Sequence, residues 1–173
     1  MLQELAELKL SILEGRYADA LSLLAQLDGM SKQAKIDAIE SFAVRLMLHL
    51  IKNQLEQRLT NSWAASIRSS LVEIKKINLQ DNKKAYYINQ DEWYSLLEDV
   101  IEVAISDASV EVFEGNCTPF QLSDMVNREE VIAIAQNLLN LTYTQSKKEL
   151  PAAVNEYLTQ LPGGEDWRQG KVR

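Results

Sequence analysis

The chain of 173 residues contains one histidine, His49, and helical spacing gives it charged neighbours. Arg45, His49, Lys52 and Glu56 recur at intervals of four, three and four residues, which places them on one face of a helix. These residue types in this pattern could do acid–base work. Arg45 and Lys52 lie one turn to either side of His49, and two cations oppose formation of an imidazolium. A neutral imidazole near pH 7 is a competent base or metal ligand, and Glu56 could orient a group bound along the seam. The bland alternative is a central helix, packed on three sides, that leaves one charged strip in water. A metal would want a second histidine or a carboxylate at an adjacent turn, where Arg45 and Lys52 stand instead. Nucleophilic catalysis would have to recruit Cys117 or a distant serine without a local motif. The expectation is a solvated seam that holds no metal.

A second constellation is acidic. Asp91, Glu92, Glu98, Asp99 and Glu102 project opposite Trp93, Val100 and Ala104 on one predicted helix. Glu98 and Glu102 are one turn apart, but a carboxylate metal pair needs histidine partners that this chain lacks. The face reads as solvated, and a basic protein surface is its natural complement. Lys75, Lys76, Lys83 and Lys84 form the densest basic group, at a helix end and the loop after it. Without interleaved aromatics they are a weak signal for nucleic acid. Cys117 follows Gly115-Asn116 just before a helix start, a position that can lower a thiol pKa; a lone loop cysteine is more often inert. No glycine-rich phosphate loop, nucleophile elbow or paired-histidine motif is present. No cofactor is expected.

The elements that must position these residues are helices. Leu2 to Leu13 is apolar at helical spacing and stops at Gly15, a left-handed cap. Tyr17 to Leu27 follows, with Ala20, Leu21, Leu24 and Leu27 on one side, and Asp28-Gly29 reads as a break. Ser31 then caps the third and longest helix, which runs to about Arg58 and carries the seam. On it Phe42, Ala43, Leu46, Met47 and Leu50 cover one side, and Val44, Leu48, Ile51 and Leu55 much of the rest. Asn61 or Ser62 opens a fourth helix with Trp63, Ile67, Leu71, Ile74 and Ile77 as its apolar stripe. Residues 78–90 read as a loop, with Tyr86-Tyr87-Ile88 as the one short strand candidate.

Asp91 is expected to cap the acidic helix and Gly115-Asn116 to end it. Asp107, Glu111 and Glu114 turn onto its core side, so it either outruns the core near Ala108 or bends. Thr118-Pro119 starts a short helix. Asn127 and Glu130 have capping-box spacing before a helix that reaches about Leu141. Ser146 to Leu161 is the last helix, and the tail from residue 162 to 173, with its paired glycines, is expected to be loose. Gly15-Arg16-Tyr17-Ala18-Asp19-Ala20 is similar to the turn of a tetratricopeptide repeat. No second copy exists, and such folds need about three copies of about 34 residues. It is a generic helical turn.

Bulk properties narrow the class. The net charge is −7 and 46% of residues are hydrophobic, the composition of a soluble globular protein rather than a nucleic-acid binder. One cysteine excludes an internal disulfide and multi-cysteine zinc sites. The amino terminus lacks the apolar run of a signal peptide, and the longest apolar window, Phe42 to Ile51, is too short to span a bilayer. A cytoplasmic protein with no membrane partner is expected.

The central stretch also carries a resemblance. Leu48-His49-Leu50-Ile51-Lys52, followed by Ser62-Trp63-Ala64-Ala65-Ser66-Ile67-Arg68, resembles the centre of the bacterial family catalogued as domain of unknown function twenty-nine. Glu14-Gly15-Arg16-Tyr17 and Gly29-Met30-Ser31 fall where that family has similar residues. The likeness covers roughly residues 13 to 78. Asn53 stands where the family usually has tryptophan, and the proline expected near Leu55 to Glu56 is missing. The resemblance implies an all-helical fold, common in photosynthetic bacteria, and transfers no catalytic residues because the family has none assigned.

These readings converge on a single all-α domain over residues 1–161, an irregular bundle of about six or seven helices around the long third helix. For function, a non-catalytic interaction or adaptor protein comes first, with the acidic face of Asp91, Glu92, Glu98, Asp99 and Glu102 meeting a basic protein. A small hydrolase or nuclease-like effector using Arg45, His49, Lys52 and Glu56 is the alternative. Nucleic-acid binding through Lys75, Lys76, Lys83 and Lys84 is the third.

Overall fold

Gly15 ends the first helix, α1 (Leu2–Leu13), at φ +71°. The Gly15 and Arg16 amides donate to the carbonyls of Ile12 and Ser11, so the turn is a Schellman cap and Gly supplies the left-handed residue it needs. This is a computed structural model that describes residues 2–171. The described residues form an all-α fold of eight α-helices and two short 3-10 turns, without a β-strand. The nearest approach to one is a single antiparallel bridge between Leu79 and Tyr86.

The second helix departs from the sequence reading. α2 runs unbroken from Tyr17 to Glu56, through the Asp28-Gly29 pair expected to break it and Ser31 expected to cap a new helix. A glycine inside a helix costs only about 1 kcal/mol relative to alanine, and Gly29 does not take the positive φ that would turn the chain. The long central helix is therefore the second element rather than the third. The fold divides into two compact units, Met1–Asp37 and Ala38–Arg173, where the sequence reads as one domain. α2 gives its first part to one and its second part to the other.

In the first unit the described residues have almost no interior: only Ser11 and Ala20 are buried. The second unit holds a packed core. Leu46, Met47, Leu50 and Ile51 of α2 are buried, as are Trp63, Ile67, Leu71 and Ile74 of α3 (Asn61–Asn78). α4 (Trp93–Ala108) adds Leu97, Ile101 and Ile105, α6 (Arg128–Thr144) adds Val131, Ala135, Leu138 and Leu139, and α7 (Leu150–Leu158) adds Val154 and Leu158. Each Val, Leu, Ile or Met among these contributes about 1.5–3 kcal/mol when fully buried. α3 packs against α6 and α7, α6 against α7, and α4 against α6 and α5 (Pro119–Met125).

Several helix ends differ from expectation for local reasons. Asn89, not Asp91, caps the start of the acidic helix: a 3-10 turn at Gln90–Glu92 precedes α4, and Asn89 and Glu92 form a capping box. α4 stops at Ala108, before Gly115-Asn116, and a 3-10 turn at Val112–Gly115 follows with Phe113 and Glu114 in left-handed conformations. The carboxylates that turned onto the core side thus mark the helix end. The last long helix is shorter than Ser146 to Leu161, and the tail is not loose over 164–168: it forms α8 (Gly164–Arg168). Trp167 Nε1 donates to Asn61 Oδ1 at 3.1 Å there. Gly163, at φ +72°, lies so close to Arg58 that an added Cβ would sit 2.6 Å from the Arg58 Cα. The end of the expected tail, residues 172–173, lies outside the described residues.

Candidate functional site

The second part of α2 is buried nearly all round, so its polar residues must find partners on neighbouring elements. His49 Nδ1 lies 2.9 Å from the Arg45 carbonyl. A carbonyl only accepts, so Nδ1 carries the proton and Nε2 keeps its lone pair. Burial pushes the His49 pKa below its ordinary value. The hydrogen bond to Arg45 opposes this, the Lys52 charge adds to it, the Glu111 carboxylate opposes it and the Arg45 charge adds to it. The direction favours the neutral imidazole, with desolvation rather than neighbouring cations as its first cause.

Lys52 does not face water. It is 6% exposed, its Nζ is 3.5 Å from Glu111 Oε1, and it sits 4.6 Å from the ring centre of Trp63. Arg58 lies 4.6 Å from the same ring and donates to Glu56 Oε1 at 3.0 Å. Arg45, the exposed member of the seam, donates to Ser66 Oγ at 3.3 Å. The solvated strip expected from spacing is therefore a half-covered seam, roofed by Trp63 of α3 and by Glu111 from the turn after α4. Beside it Asn53 is buried and donates to the carbonyls of Arg58 at 3.0 Å and Pro162 at 2.7 Å. Its side-chain amide thus ties down the segment leading to α8. Gln54 and Asn127 exchange two further bonds, at 3.2 and 3.0 Å.

The grooves beside Arg45, beside Trp167 and at the end of α3 open on the second unit, and His49, Lys52 and Glu56 line none of these. Arg45 reaches one, of about 530 Å³, beside Ser62, Ser66 and Arg68. The seam's available chemistry is one imidazole nitrogen on the same helix face as a buried lysine. No group of three or more His, Cys, Asp or Glu side chains converges as metal ligands would among the described residues, and no helix there is long and apolar enough to cross a membrane.

The acidic residues are all exposed on α4 and the turn before it. Two have internal roles. Glu92 Oε1 accepts from the Asn89 amide at 3.0 Å. Glu102 accepts from Arg128 Nε at 2.8 Å, a bond that lowers the Glu102 pKa. Asp91, Glu98 and Asp99 have no ion-pair or hydrogen-bond partner among the described residues.

The lysines regroup. Lys75, Lys76 and Lys83 line a groove of about 430 Å³, Lys84 does not, and Lys147 joins them from the turn before α7. Lys147, Trp63 and Glu111 are the site residues that spacing missed. For Glu111 a signal existed in its turn toward the core side; for Lys147 the chain offers none, because the lysines it joins in the groove are remote in sequence. Cys117 is half-buried and unpaired.

No family model, no curated protein and no solved structure matches the chain.

Proposed function

We propose that the protein is a non-catalytic interaction or adaptor protein of the bacterial cytoplasm, a divergent member of the family that residues 13 to 78 resemble, and that residues 2–37 carry its docking surface. The observation that supports this reading is the exposure of apolar side chains there. Leu2, Leu13, Tyr17 and Leu21 are each at least 66% exposed, and Leu5, Leu10, Ile12, Leu24 and Met30 are exposed as well. Single exposed leucines are ordinary. Such a density, in a unit with two buried residues among those described, is of the kind that marks interaction sites. A segment of fewer than about 40 residues cannot bury a sufficient core by itself, and a protein partner is what would cover it. The unpaired Asp91, Glu98 and Asp99 favour a partner with a basic surface. The seam supports the same reading, because its charged residues are engaged inside the fold.

The test is affinity purification of the tagged chain from its native host, in parallel with an L13S/L21S/L24S variant and a D91N/E98Q/D99N variant. The expected result is a partner lost at least tenfold from the leucine variant, and lost from the wild type as salt rises in a way the α4 variant no longer shows. The same proteins in the same amounts on wild type and leucine variant would sink the proposal. A concentration-dependent dimer abolished by the leucine changes would reassign the surface to self-association.

A further inference from the structure

The groove at the end of α3 has the opposite character to the chain. The molecule carries a net charge of −7, yet Lys75, Lys76, Lys83 and Lys147 line one concavity and no carboxylate lines it with them. Lys75 Nζ donates to the Thr142 carbonyl at 2.8 Å. Lys76, Lys83 and Lys147 are exposed, and their ammonium groups have no hydrogen-bond or ion-pair partner among the described residues. Four ammonium groups around one hollow repel one another, and an anion converts that repulsion into attraction. The rest of the lining is apolar or aromatic: Val72, Leu79, Tyr86 and the buried Leu150. Cations beside an apolar floor complement a molecule with a charged head and a hydrocarbon body.

The walls are fixed in advance. Asn78 donates to the Ile88 carbonyl at 2.9 Å and accepts from its amide at 2.7 Å. The Gln80 amide donates to Ala85 at 2.9 Å, and the Tyr86 ring stands edge-on to Tyr143 at 4.8 Å. Lys83 is held at φ +57° in a turn closed by its amide on the Gln80 carbonyl. Glycine or asparagine would suit that conformation better; lysine there sets a cation in the groove wall.

We propose that this groove binds a small organic anion, its carboxylate or phosphate head met by the lysines and its hydrocarbon body lying on Leu79, Tyr86 and Val72. The volume of about 430 Å³ falls within the usual range for small-molecule sites, about 300–1,000 Å³. A single-stranded polynucleotide fits less well, since Lys84 is outside the lining and Tyr86 is its one aromatic residue, too few for a stacking series.

Isothermal titration of the full chain with decanoate and with decyl phosphate tests this, with decanol and inorganic phosphate as half-ligands. At least one amphiphile is expected to bind saturably at one site, with each half-ligand at least tenfold weaker. K76Q/K83Q/K147Q should weaken binding at least tenfold with helicity unchanged, and K84Q should not. K147Q alone, expected to weaken binding several-fold, serves if the triple variant misfolds. Failure of both amphiphiles, equal binding of decanol, equal binding of inorganic phosphate, or lysine variants that bind like the wild type would each overturn the proposal. Displacement of decanoate by an oligonucleotide that binds more tightly through the same lysines would overturn it in favour of a nucleic-acid surface.

Discussion

Glu111→Gln, Lys52→Met and their combination form the sharpest probe of the seam. Lys52 is buried while the Glu111 side chain is about half exposed, with 3.5 Å between Nζ and Oε1. At that distance a full charge pair is worth about 5 kcal/mol at an effective dielectric of 20 and about 1 kcal/mol in water. The exposure of Glu111 argues for a value nearer the second, so removing its charge should destabilise the fold by about 1–2 kcal/mol. Breaking a fully buried pair costs about 3–5 kcal/mol, which sets an upper bound. Lys52→Met removes the desolvated ammonium and keeps an unbranched side chain beside Trp63. It forfeits a cation–π contact worth about 0.5–2 kcal/mol and relieves a desolvation penalty of similar size, so its net effect should lie within about 1 kcal/mol of zero. In the Lys52→Met background Glu111→Gln should have little further effect, giving a coupling of about 1–2 kcal/mol. Urea unfolding at pH 7 followed by tryptophan fluorescence measures all four, because Trp63, Trp93 and Trp167 all lie in the second unit. A Glu111→Gln effect and a coupling both below about 0.5 kcal/mol would refute the assignment of Glu111 as the group that holds the Lys52 charge.

Two further predictions concern the same region. The His49 pKa is held below 6.5 in the folded state. The unfolded chain therefore takes up the proton first, and His49's contribution to stability is complete above that pH and declines as pH falls through it. His49→Gln should flatten the stability profile between about pH 7 and pH 5.5; parallel profiles for wild type and variant would contradict the burial argument. Gly163→Ala asks an alanine to adopt φ +72° with its Cβ 2.6 Å from the Arg58 Cα. The strain and overpacking should cost about 2–4 kcal/mol and change Trp167 emission as its bond to Asn61 weakens. A denaturation midpoint like that of the wild type would show that the 162–168 segment is not held against Arg58.

Signals that act within one turn of helix were legible in the sequence. Gly15 as a left-handed cap, Thr118-Pro119 as a helix start and the Trp63, Ile67, Leu71 and Ile74 stripe all depend on residues a few positions apart. Asn127 also caps its helix, accepting from the Glu130 amide. Asp28-Gly29 misled because it resembles a stop signal whose cost is too small to stop a helix. The seam's membership was readable from periodicity; its burial was not, because Trp63 and Glu111 roof it from other elements. The ordering of residues 163–168 likewise depends on Asn53, Arg58 and Asn61, none of them near in sequence.

Charged residues here separate by where their partners are. Lys52, Glu56 and Arg128 have partners within the fold, so changing them alters stability, and a loss of activity in such a variant says little about binding. Lys76, Lys83 and Lys147, like Asp91, Glu98 and Asp99, are exposed, and their charged groups have none among the described residues. Substitutions at such positions typically change stability by no more than about 0.5 kcal/mol. Any large phenotype they produce therefore has to come from a molecule outside the chain. The two sets also divide by ligand sign, the lysines calling for an anion and the α4 carboxylates for a cationic surface. An effect of the lysine variant on the proposed protein partner, or of the α4 variant on decanoate, would show that one ligand alters the binding of the other.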